Sequence, residues 1–137
     1  MAKVTGIGGV FIRTEQNKEL IGWLKENLNI PMQDWGGTQF FWRELDEVNQ
    51  RGYTVLNIAA MDSEYFAPST LPIMINLRVD NLDEMLDTLG KRGIVPVSRF
   101  EDDPHGRFAH VMAPGGLKIE LWQPSEDGHD DSSNNDI

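Results

Sequence analysis

Two stretches of this 137-residue chain, 9–31 and 74–96, repeat one pattern at a constant offset of 65 positions. Ile12 aligns with Leu77, Arg13 with Arg78, Glu19 with Glu84 and Leu20 with Met85. Ile21 aligns with Leu86, Leu24 with Leu89, Ile30 with Val95 and Pro31 with Pro96. Each copy reads as a β-prone apolar run, an amphipathic helix and a turn into another strand. A repeat this long and this well in phase confines the chain to two packed copies of one βα unit. A ligand cleft would then lie between the copies, with site residues at equivalent positions in each.

The local periodicity fills in the units. A strand is expected over 4–13, centred on Val10, Phe11 and Ile12. Glycines at 6, 8 and 9 within it mark a bulge or a close backbone approach. Leu20, Ile21, Trp23, Leu24 and Leu28 give a helix over about 16–28 one apolar face, which assigns Trp23 to the core, as Trp42 is assigned. Residues 30–35 read as a short extended piece that ends at the Gly36-Gly37 turn signal. Strands follow over 38–45 and 53–60, separated by a polar turn at 46–52. Residues 61–71 are a linker containing Tyr65, Phe66 and Pro68. The pattern then restarts with a strand over 73–79. A helix follows, capped by Asp80 or Asn81, striped by Leu82, Met85, Leu86 and Leu89, and stopped at Gly93. Three strands, about 94–100, 107–113 and 117–122, complete the second unit, the last two joined by Pro114-Gly115-Gly116. The organisation is one domain, 1–123, with βαβββ modules at about 4–60 and 72–123. Residues 124–137 form an acidic tail.

Charge narrows the partners. The tail holds Glu126, Asp127, Asp130, Asp131 and Asp136 and no Lys or Arg, so it supplies five of the ten net negative charges. Its Ser, Asn and Gly content reads as solvated and disordered. The remainder is mildly acidic without a basic stripe, which argues against nucleic acid as a partner. No apolar run approaches the roughly 20 residues of a membrane span. The chain lacks cysteine, which removes disulfides, thiolate catalysis and Cys-based metal sites. No signal-peptide pattern opens the sequence, so the cytoplasm is the expected compartment.

The βαβββ pattern and the closing run Gly106-Arg107-Phe108-Ala109-His110-Val111-Met112-Ala113-Pro114-Gly115-Gly116-Leu117-Lys118-Ile119-Glu120-Leu121-Trp122 resemble the vicinal oxygen chelate superfamily. This is the glyoxalase, bleomycin-resistance and extradiol-dioxygenase group. The resemblance covers 4–124. Its usual Asp-Pro-x-Gly-Asn turn reads Ala-Pro-Gly-Gly-Leu here, so Ala113 and Leu117 depart from it. It implies an α+β fold of two βαβββ modules, each a curved mixed four-stranded sheet with one outer helix, forming a cleft. It also implies a homodimer. One such fold hosts isomerases, lyases, dioxygenases, thiol transferases and drug binders.

Metal-dependent members of that group take ligands from the first and last strands of each module. Strand alternation puts Met74, Asn76 and Arg78, and also Lys118, Glu120 and Trp122, toward the cleft. The repeat offset carries Met74 back to Gly9. Aligning the Gly52 and Gly116 turns carries Glu120 back to Leu56. Of Gly9, Leu56, Met74 and Glu120, only the carboxylate suits a hard or borderline cation, and a catalytic site needs about three protein ligands. No metal and no cofactor are therefore expected.

What remains is a cleft with a polar pair. The turn sets His110 across from Glu120, and a His–carboxylate pair can serve as general acid and base. Arg13 and Arg78, matched by the repeat, could clamp an anion. Trp35, Phe41, Tyr65, Phe66 and Trp122 could stack a flat ligand. The reading is a metal-independent, glyoxalase/bleomycin-resistance-like protein that binds a small organic molecule. Arg43, Met74, Asn76, Arg78, Phe108 and Trp122 are the binding candidates, and His110 and Glu120 the catalytic ones. The alternative is a lyase or isomerase acting on a small carbonyl compound through the His110/Glu120 pair. His105, in Asp102-Asp103-Pro104-His105-Gly106, reads as part of a turn.

Overall fold

The computed structural model describes residues 1–43, 45 and 51–125. Most of the expected 124–137 tail and most of the 46–52 turn fall outside them, while Pro124, placed in the tail from sequence, ends a strand. Strand β1 spans Val4–Thr14, helix α1 Asn17–Leu28, β2 Gly37–Arg43 and β3 Arg51–Ala60. The second module contributes β4 Ile73–Val79, α2 Leu82–Lys91, β5 Ser98–Asp103, β6 Gly106–Ala113 and β7 Leu117–Pro124. The two helices start 65 residues apart, as the repeat requires.

The strands form one curved, unclosed seven-stranded sheet in the order β2-β3-β1-β4-β7-β6-β5. Within each module the first and last strands pair parallel, β1 with β3 and β4 with β7. The modules join through the antiparallel β1–β4 ladder. The fold is thus the expected α+β pair of modules, with one difference in the first. Residues 30–35 add no strand, because Met32 N–H bonds Ile30 O at 2.8 Å and Gln33 N–H bonds Gly37 O at 2.8 Å. The segment closes on itself, where its counterpart after α2 goes on to form β5.

Helix α2 starts where Asn81 Oδ1 accepts the Glu84 N–H at 3.0 Å, an N-cap contact. It stops before Gly93, whose φ of +83° favours glycine. Leu82 and Leu86 pack with Val79, Ala109, Val111 and Leu121 into the main buried cluster, fringed by Leu77, Met85, Leu89 and Ile119. Alternation therefore reads correctly on β4, β6 and β7: these residues face α2, and their neighbours face the cleft. Helix α1 differs. It buries no residue fully and packs chiefly against β3. Trp23 is 53% exposed, which corrects its assignment to the core. Its place on the apolar stripe is real, but α1, packed chiefly on β3, leaves this ring half in solvent. No described helix is long and apolar enough to cross a membrane.

Candidate functional site

The β1 glycines shape the floor of the cleft. The β1–β4 register shifts between Ile7 and Gly9, leaving Gly8 in a bulge. A Cβ at Gly8 would overlap Asn76 Oδ1 and lie 2.7 Å from the Trp122 ring, so only glycine admits both side chains. Above this floor opens a cavity of about 440 Å³. Phe11, Trp35, Tyr53, Tyr65, Phe108 and Trp122 supply its aromatic walls, and Gln39, Asn76, His105 and Glu120 its polar groups. Phe108 stacks on Trp122, with centroids 5.9 Å apart and planes 2° apart. The Trp122 indole N–H donates to His105 O at 2.9 Å, which fixes that ring. Trp35, half-exposed, lies across Gly37 at the mouth.

Glu120 ends the cavity. Its Oε1 accepts from Asn76 Nδ2 at 2.7 Å. Its Oε2 is bonded to His110 Nε2 at 2.8 Å and accepts the Tyr65 hydroxyl. A carboxylate cannot donate, so Nε2 carries the proton, and Nδ1 meets the Ser98 hydroxyl at 2.9 Å. Glu120 and His110 are 2% and 1% exposed, so that pair is held dry. Burial, with the adjacent Glu120 carboxylate, pushes the Tyr65 phenol far above its usual range.

Tyr65 arrives from the linker, and two cations hold the linker down. Lys118 Nζ donates to Tyr65 O at 2.6 Å and Ala67 O at 2.7 Å. Arg13 donates to Leu71 O, Ser63 O and Ser69 O at 3.1–3.2 Å and lies over the Phe66 ring. Burial pulls the Lys118 ammonium below its ordinary value, while Glu120 acts in the opposite sense. One strap comes from each module, so both fix where Tyr65 stands.

Of the residues singled out from sequence, Glu120, Asn76, Phe108 and Trp122 line the cavity together with Trp35 and Tyr65. His110 does not line it; it bonds Glu120 from behind. Met74 is fully buried, Arg43 sits exposed at the end of β2, and neither lines the cavity. Arg78 lies over the Trp42 and Trp122 rings at 4.7 and 5.8 Å. With Arg13 under the linker, the two arginines form no clamp. Phe41 packs on Tyr53 at 5.7 Å and Phe66 is buried, so neither joins the walls. Sequence reasoning gave no site role to Phe11, Gln39 or Tyr53, although alternation from Val55 and Gly9 would have turned all three inward.

One register assignment needs correction. Asn76 pairs with Glu120 across β4–β7, and its repeat mate Phe11 pairs with Asn57 across β1–β3. Val55 lines the cavity, so Leu56 faces the other side of the sheet, and Asn57 is the true counterpart of Glu120. Aligning the modules by their turns miscounts by one, because the two turns differ in length. The four positions at which the resemblance would seek metal ligands are then Gly9, Asn57, Met74 and Glu120: no side chain, an amide, a thioether and a carboxylate already bonded by three donors. This donor set does not fit a catalytic divalent cation. Among the described residues no three His, Cys, Asp or Glu gather as a metal site.

Similar folds occur among solved structures. A methylmalonyl-CoA epimerase from Mycobacterium tuberculosis superposes with a TM-score of 0.58 at 20% identity, over 93% of each chain. The vicinal oxygen chelate fold is this chain's fold. A Streptomyces coelicolor methylmalonyl-CoA epimerase bound to 2-nitronate-propionyl-CoA gives 0.61 at 13% identity, over 90% of this chain and 99% of that one. The 2,3-dioxygenase LapB from Pseudomonas sp. KL28 gives 0.56 at 19% identity, over 88% of this chain and 41% of that one. At these identities the likeness concerns the fold. No family model and no curated protein matches the sequence.

Proposed function

We propose that this chain binds a small, flat organic molecule in the cleft between its modules, without a metal. The observation that carries this reading is the cavity itself: about 440 Å³, walled by six aromatic side chains and ended by a fixed polar group. That size lies within the range of small-molecule sites, roughly 300–1,000 Å³, and apolar walls with few placed polar groups are their usual make-up. Stacking against the parallel Phe108/Trp122 pair favours planar ligands. The test is a thermal-shift and tryptophan-fluorescence screen of one- to three-ring aromatic compounds. Saturable binding by at least one compound, lost in Trp122→Ala, supports the reading. Binding that survives Trp122→Ala rejects it.

A second reading, a lyase or isomerase acting on a small carbonyl compound, draws on the Tyr65–Glu120–His110 chain, in which Glu120 and His110 are buried. Glu120 is the only member of the His110/Glu120 pair with access to the cavity, and three donors already occupy it. Its Oε1 accepts from Asn76 alone and keeps one acceptor site, but His110, the other half of the pair, does not line the cavity, which places binding first. Turnover abolished by Glu120→Gln and by His110→Ala would reverse that order. A homodimer is part of the proposal. Half-exposed Trp23 and Leu28 on α1, with Ile7 on β1, supply apolar surface for it. Light scattering that gives the monomer mass at micromolar concentration would remove it.

A further inference from the structure

Asn76 is 4% exposed and lines the cavity floor. The carboxylate decides how its amide lies. Glu120 Oε1 can only accept, so the Nδ2 group must face it, as the 2.7 Å bond shows. The amide oxygen is thereby turned the other way, over Gly8 and beside the Trp122 ring. There Oδ1 is buried and has no hydrogen-bond partner among the described residues. A buried acceptor without a donor is costly, and such groups in folded proteins usually mark a place where a donor belongs. Gly8 and Asn76 both line the cavity, so Oδ1 lies just beneath its floor beside the Trp122 ring, and a ligand donor reaches it by a small shift of that ring.

Among the described residues no Lys or Arg lines the cavity, although the Arg78 stem packs beneath Gly8. Lys118 is committed to the Tyr65 and Ala67 carbonyls, and Arg78 lies along the Trp42 and Trp122 rings. The polar end therefore offers a carboxylate and an amide oxygen to whatever the aromatic walls stack.

The geometry points to a planar heteroaromatic ligand bearing an N–H donor, such as an aromatic amine or amidine, that Asn76 Oδ1 accepts, with Glu120 as the residue positioning that amide. Anionic aromatic acids are disfavoured by the same surface. This rests on the binding function proposed above and specifies its ligand class.

Four probes of one ring system separate the contributions: quinoline, 4-aminoquinoline, N-methylquinolinium and quinoline-4-carboxylate. Binding to the full chain is followed by tryptophan fluorescence and calorimetry. The aminoquinoline is expected to bind at least about tenfold tighter than quinoline, the value of one satisfied buried acceptor. It is expected to exceed the methylated cation, which has charge but no N–H, by a similar factor, and the carboxylate should bind weakest. In Asn76→Leu the advantage of the amine should vanish while quinoline still binds. Equal binding of the four probes, equal binding of the two cations, or preference for the carboxylate overturns the inference and leaves the cavity reading standing. Failure of every probe to bind at millimolar concentration overturns both. Should Asn76→Leu not fold, the probe series on the unaltered chain decides alone.

Discussion

Replacing Glu120 with glutamine tests how the polar end is built. The carboxylate takes three donors, from Asn76, His110 and Tyr65. A glutamine of the same shape has one acceptor oxygen. Placed toward His110 and Tyr65, it keeps two bonds and turns its own NH2 toward Asn76. Two NH2 groups cannot bond, so the Asn76 amide must turn over and present Oδ1 to residue 120. Bonds to a charged acceptor contribute about 1.5–3 kcal/mol each and neutral ones about 1 kcal/mol. Three such exchanges sum to roughly 1.5–6 kcal/mol, and relief from burying a charge offsets part of it. A net loss of about 2 kcal/mol is expected, or about 6–10 °C in Tm for a domain of this size. The turned amide also presents N–H to the cavity, so the preference for 4-aminoquinoline should disappear and that for quinoline-4-carboxylate should rise. Differential scanning calorimetry reads the first effect and ligand titration the second. A Glu120→Gln protein as stable as the parent, with unchanged preference between the two quinolines, would refute this account of the network.

Further expectations follow from single contacts. Gly8→Ala places a methyl against Asn76 Oδ1 and Trp122, so it should cost about 1–3 kcal/mol and weaken ligand binding, read by chemical denaturation and titration. Tyr65 has its phenol raised above the ordinary value of 10.0 in the folded state, so its stabilising effect is complete below about pH 10 and is lost as pH rises beyond it. The stability gap between the parent and Tyr65→Phe should thus be constant near neutrality and close in alkali. On the surface, hydrogen bonds from Arg107 and then Arg99 hold Glu101 below the usual carboxylate range, and the same arginines act on Asp83. Their contribution is present above the ordinary carboxylate range, about pH 4, and lost as pH falls, so Arg107→Gln should differ from the parent at pH 7 in low salt and converge with it in acid or at high ionic strength.

The sequence made the second module easier to read than the first. Alternation on β4, β6 and β7 sorted Val79, Ala109, Val111 and Leu121 from Asn76, His110, Glu120 and Trp122, because an amphipathic helix covers one face and the cleft lies on the other. The repeat placed both helices, and glycines within a strand pattern marked the β1 bulge that receives Asn76. It failed where modules diverge. Turns of unequal length shifted β3 by one residue, and strand parity turned that slip into the wrong face for Leu56. Trp23 was misplaced because amphipathicity reports a stripe, not how much sheet lies beneath it. Tyr65 was legible as a linker aromatic but not as the donor to Glu120, since only the folded straps from Arg13 and Lys118 bring it there. Arg13 and Arg78 share a repeat position yet serve different neighbours, the linker carbonyls in one case and two indole rings in the other.

The cavity claim is tested most directly by two-dimensional NMR of the indole and side-chain amide N–H groups during titration with 4-aminoquinoline. Trp122 and Trp35 border the cavity, Asn76 lies on its floor, and Trp23 stands outside on α1, half-exposed. The account predicts saturable shifts at Trp122, Trp35 and the Asn76 amide, with Trp23 unmoved. Shifts centred on Trp23, or a saturating ligand that leaves Trp122 and Asn76 in place, would contradict it.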